Sequence, residues 1–146
     1  MKFTCTIEIN KPKETVAKLF ADPTLLKEYQ DGFISKELLE GTMGQDGAVS
    51  LLKYQHGKGI MELTETIQQN NLPDSFLGHY HHKHMDNTMN CRFISVDSNK
   101  TRYESEIEYT AFRGFIPKAM AFLFPGMFKK QVQKWLVNFK EFVEAN

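Results

Sequence analysis

The run from Ile116 to Glu144 does most to limit what this chain can fold into. At the helical angle of about 100° per residue, Ala121, Phe124, Phe128, Val132, Trp135, Leu136, Phe139, Phe142 and Val143 fall on one side. Lys129, Lys130, Gln133, Lys134, Lys140, Glu141 and Glu144 fall on the other. The spacing predicts an unusually long amphipathic helix, and its aromatic stripe needs a broad apolar surface to lie on. The front half differs. Pro125 removes a helical donor and disfavours helical geometry at Phe124, and Gly126 weakens the turn further, so a kink or break is expected there. Met120, Phe122, Leu123 and Met127 stand in a stretch that is apolar all round. They are either packed core, a Met- and Phe-rich gate over a cavity mouth, or a docking patch.

The preceding chain supplies strands. Phe3, Cys5, Ile7 and Ile9 alternate with Lys2, Thr4, Thr6 and Glu8, which predicts a half-buried strand ending at Asn10-Lys11-Pro12. Pro12 suits the first position of a helix running to about Ala21, and Asp22-Pro23 opens a second short helix through about Tyr29, ended by Gly32. Strands are expected over Phe33–Glu40, Ala48–Gln55, Ile60–Gln69, Ser75–Met85 and Thr88–Val96, joined by turns rich in Gly, Asn and Asp. After Asp97-Ser98-Asn99-Lys100, a last strand alternates Tyr103, Ser105, Ile107 and Tyr109 with Arg102, Glu104, Glu106 and Glu108. It has one packed and one wet face. The facing of Phe33–Glu40 and Ala48–Gln55 is not resolved by pattern. The order predicts an α+β fold of one domain, 1–146: a curved antiparallel sheet of about seven strands wrapped around the long C-terminal helix. A rod cannot fill a curved trough, so a hollow is expected between them.

Charge removes some functions. Lys+Arg and Asp+Glu are both 18, so the formal net charge is zero and no electrostatic footprint for nucleic acid is present. The basic face of the last helix reads as solvated surface. Cys5 and Cys91 form no metal-type or disulfide-dense spacing and behave as small hydrophobes. With no apolar leader after Met1 and no run long enough to span a bilayer, a cytoplasmic chain without stable membrane insertion is expected.

Ile9-Asn10-Lys11-Pro12, Val16-Ala17-Lys18-Leu19-Phe20, Asp22-Pro23 and Leu26 resemble the START-like, helix-grip domains of the SRPBCC superfamily. Leu39-Glu40-Gly41, Lys100-Thr101-Arg102-Tyr103-Glu104 and the terminal helix extend the likeness over nearly the whole chain. That superfamily holds polyketide cyclase/dehydrase-like and lipid-transfer proteins. The resemblance implies a hydrophobic ligand cavity under the long helix. It carries over no catalytic residue.

Candidate residues follow from strand facing. Met61, Leu63 and Ile67 mark an inward face that also carries Glu65, where a carboxylate is desolvated and serves as acid, base or polar anchor, unless a bulge returns it to water. Among the histidines, His79 and His81 share a face with Lys83 and read as wet. Tyr80, His82 and His84 then face inward, with Tyr80 and His82 as hydrogen-bond donors to a ligand. Two histidines per face are too few for a closed metal site, and neither metal nor cofactor is expected. No nucleophile elbow or phosphate loop is present, and no catalytic residue is assigned. The expected function is binding or carriage of a small hydrophobic, lipid- or polyketide-like molecule by a monomer or weak homodimer. The expected lining is Met61, Leu63, Glu65, Tyr80, His82, Tyr103, Ile107, Met120, Phe124, Met127 and Phe128. The alternatives are a cyclase/dehydrase- or isomerase-type enzyme using Glu65 and His82 for proton transfer, and a chaperone-cofactor-like interaction domain.

Overall fold

The alternation of Phe3, Cys5, Ile7 and Ile9 forms β1 (Lys2–Ile9) in the computed structural model, which describes residues 1–146. Helix α1 (Lys13–Ala21) starts directly after Pro12. Asp22 caps the next turn, accepting from the Thr24 backbone at 2.9 Å, and a single 3₁₀ turn (Pro23–Leu25) leads into α2 (Leu26–Tyr29). Gly32, at φ +75°, then swings the chain into the strand that begins at Phe33. The following strands are β2 (Phe33–Glu40), β3 (Val49–His56), β4 (Gly59–Asn71), β5 (Ser75–His81), β6 (Met85–Asp97) and β7 (Lys100–Phe112). All pairings are antiparallel, in the order β1-β7-β6-β5-β4-β3-β2.

The C-terminal stretch divides in two, α3 (Phe115–Leu123) and α4 (Pro125–Glu144), with Phe124 between them at φ −133°, ψ 55°. Pro125 thus serves as a helix start instead of interrupting one. Helix α4 lies along β1. Gln133 donates to the Thr6 carbonyl at 3.1 Å, Lys140 donates to the Glu8 carbonyl, and Glu144 accepts from the Asn10 N–H at 2.7 Å. Those groups lie on the margin of β1 that no strand pairs, so side chains of the helix satisfy an otherwise open sheet edge.

Val132, Leu136, Phe139 and Val143 are buried, each burial stabilising by about 1.5–3 kcal/mol. Phe139 meets Tyr29, Tyr103 and Phe20 edge-on at 4.9, 5.7 and 6.0 Å, and Phe20 continues edge-on to Phe76 and Phe93. This aromatic cluster fills one end of the trough. Two members of the expected buried stripe are corrected: Trp135 is 46% exposed and Phe124 53% exposed. The helix break turns Phe124 outward, and Trp135 lies on the flank of α4 away from the β1 contacts.

Candidate functional site

Burial falls along the strands toward α3. Ile67, Phe76, Phe93 and Tyr103 are buried, whereas Met61, Leu63, Tyr80, Met89, Tyr109 and Phe112 on the same concave face are half-buried. At that looser end, a groove of about 550 Å³ runs beside α4, walled by Tyr109, Met127, Phe128, Val132 and Trp135, with Lys130, Gln131 and Lys134 on its rim. Tyr109 and Phe128 of its wall pack against each other and against Phe112, with ring centroids 5.1–6.0 Å apart. Burial pushes the Tyr109 phenol up to about 12, further from ionisation than an ordinary phenol. The groove is open to solvent, and it replaces the enclosed hollow expected from the curvature.

A second constellation lies within the sheet. Glu65 is 6% exposed, so no bulge returns it to water. Tyr80, its partner across β4 and β5, donates to Oε2 at 2.8 Å, and Lys36 of β2 brings Nζ to 2.9 Å from Oε1. The lysine approach lacks the direction of a hydrogen bond, which leaves Oε1 with an ionic partner only. Burial and the Glu65 charge push the Tyr80 phenol well above its ordinary value. Burial, and then the same charge, raises Tyr54, whose hydroxyl donates to Gln30 at 2.8 Å. Lys36 also borders a small pocket of about 80 Å³ with Phe20, Met43, Ile67 and Phe76.

The histidine reading needs correction. Strand β5 ends at His81, and His82–His84 form a turn closed by mutual backbone bonds between His82 and Met85. The turn takes His82 and His84 off the strand's alternation. His82 Nδ1 accepts from the His84 N–H at 3.1 Å, and burial together with the neighbouring cationic side chains lowers its pKa. Arg113 pins this turn, donating to the carbonyls of His82 and Lys83 and to Asp86.

Of the expected lining, only Met127 and Phe128 border the groove. Tyr103 and Ile107 are buried in the core, where the Tyr103 hydroxyl lies 3.3 Å from the Cys91 sulfur. That thiol is itself pushed up to about 11 by burial. Met61, Leu63, Glu65 and Tyr80 share the concave face without reaching the groove, while Met120 and Phe124 belong to the α3 side of the break. Pattern reading missed Lys36 and Tyr54. Bulges between Phe33 and Ser35 and between Leu38 and Glu40 erase the alternation that would have faced Lys36 inward.

No protein-family model matches the sequence, and no curated protein matches it. Solved structures do. A START superfamily protein from Mycobacterium smegmatis superposes with a TM-score of 0.81 at 9% identity, covering 99% of this chain and 97% of that one. The Zhui aromatase/cyclase from a Streptomyces species gives 0.80 at 13% identity, over 99% and 93%. The two-domain aromatase/cyclase StfQ from the steffimycin biosynthetic pathway gives 0.77 at 10% identity, over 97% of this chain and 45% of that one. At these identities the likeness is one of fold: a START-like helix-grip.

Proposed function

We propose that this chain, a START-like helix-grip fold, binds a small, largely apolar molecule in the groove beside α4. The carrying observation is the groove itself: about 550 Å³ walled by Tyr109, Met127, Phe128, Val132 and Trp135, inside the range of small-molecule sites. The walls favour an extended or flat apolar body. The Tyr109 hydroxyl and the Lys130 amine on the rim favour an acceptor or anionic group on the occupant. Structures of the same fold described as aromatase/cyclases support an apolar, ring-bearing occupant, without assigning a reaction to this chain.

Proton transfer by Glu65 and His82 has less support, because Glu65 is already held by Lys36 and Tyr80 and His82 belongs to the turn pinned by Arg113.

Trp135 is the only tryptophan in the chain and stands in the groove wall, so its emission reports occupancy. Titration with a long-chain fatty acid and with a polycyclic phenol is expected to give a saturable blue shift for at least one probe, abolished in Phe128→Asp. Unshifted emission with every probe, or an unchanged shift in Phe128→Asp, overturns the reading.

A further inference from the structure

Helix α3 is inside out. At about 100° per residue, Phe122, Phe115, Ala119, Leu123 and Ile116 occupy one continuous face. Phe115 is 85%, Ile116 72%, Phe122 84% and Leu123 61% exposed, and no residue of the helix is buried. The opposite side, Pro117, Met120 and Ala121, is the half-buried one. Phe124 and Met127 extend the apolar surface across the break into α4. Soluble chains scatter exposed apolar groups singly; a contiguous patch of phenylalanines on one helix marks a surface that something covers.

Charge identifies the cover. Although the whole chain is neutral, the segment from Tyr109 to Lys140 carries only basic charge; Arg113, Lys134 and Lys140 are paired with Asp86, Asp31 and Glu144, which leaves Lys118, Lys129 and Lys130 without a carboxylate partner. Lys118 adjoins Phe122 on the α3 wheel, and Lys118, Lys129 and Lys130 are exposed. An apolar helical face rimmed by lysines fits the interface of an anionic bilayer, where phenylalanine rings sink about 5–10 Å and the amines meet phosphates. No helix is long and apolar enough to cross a membrane, which leaves docking at the surface as the mode.

We infer that α3 and the α3–α4 break form a docking face for anionic lipid membranes, seated beside the groove mouth. The inference does not depend on what the groove holds, and empty protein tests it. Cosedimentation with vesicles of phosphatidylglycerol mixed into phosphatidylcholine is expected to pellet the wild-type chain, with binding that weakens as salt rises. Pure phosphatidylcholine vesicles should leave it in the supernatant. Phe115→Ser/Phe122→Ser should stay soluble with unchanged circular dichroism. Lys118→Gln/Lys129→Gln, which touches no apolar group, should lose affinity roughly thirtyfold. Failure to pellet with anionic vesicles, or equal binding to neutral ones, overturns the proposal. So does a homodimer in light scattering that Phe122→Ser dissociates, since the face then belongs to a second copy.

Discussion

Tyr80 donates a 2.8 Å hydrogen bond to Glu65 from the position directly opposite it in the sheet, and Lys36 closes on the other carboxylate oxygen at 2.9 Å. The side chains of Lys36 and Glu65 are only 15% and 8% exposed. Removing one partner strands the other charge in a poorly solvated place. Glu65→Ala is expected to cost about 3 kcal/mol in urea denaturation, and Lys36→Met/Glu65→Leu to recover most of it. A cost below about 1 kcal/mol for Glu65→Ala places the pair among ordinary surface ion pairs.

Phe139 and Trp135 lie one helical turn apart on α4 with opposite surroundings. Phe139 is 3% exposed amid the rings of Phe20, Tyr29 and Tyr103, so Phe139→Ala should cost about 3–5 kcal/mol. Trp135→Ala removes a larger side chain that is nearly half exposed and should cost less than about 1 kcal/mol while removing the groove's fluorescence report. Equal losses would mean that the helix is seated differently on the sheet.

Acid should loosen the junction between β7 and α3. Hydrogen bonds from Arg113, opposed by burial and aided by His81, hold the Asp86 carboxyl at about 2, below its ordinary 3.8. Its stabilisation is therefore complete above about pH 5 and is lost as pH falls through 2. The loss amounts to about 1 kcal/mol once solvent screening is allowed for. Hydrogen exchange at His82–Met85 should accelerate over that window in the wild type, and Asp86→Asn should show fast exchange at every pH.

Two glycines should respond oppositely to alanine. Gly126 lies in the first turn of α4 with open space where a Cβ would stand, so Gly126→Ala should raise stability by about 0.5–1 kcal/mol and stiffen the break. Gly32 combines φ +75° with the Gln55 carbonyl oxygen directly against the Cβ position. Gly32→Ala should cost more than about 2 kcal/mol, read from thermal melts.

Much of the architecture was legible because its signals are local. The alternation in β1 and β7, the Asp22 cap, the Asp97–Lys100 hairpin and the helix discontinuity at Pro125 each depend on a few neighbouring residues. The site was less legible. Facing in β2 depends on two bulges, and the exit of His82 from β5 depends on Arg113, thirty-one residues away. Periodicity also cannot tell a stripe that packs from one that is displayed. Val132 and Trp135 read alike in sequence, and only the seating of α4 on β1 separates them.

The two lateral strands of the sheet are treated unequally. Along β1, Gln133, Lys140 and Glu144 occupy the peptide groups that a foreign strand would seek. No helix does this for β2, whose exposed Ile34, Leu38 and Leu39 are the sort of residues that recruit one. Its two bulges crimp the ladder within eight residues, so an incoming strand finds no straight register to extend. Fibril formation should therefore begin, if anywhere, at β2, and straightening either crimp should hasten it.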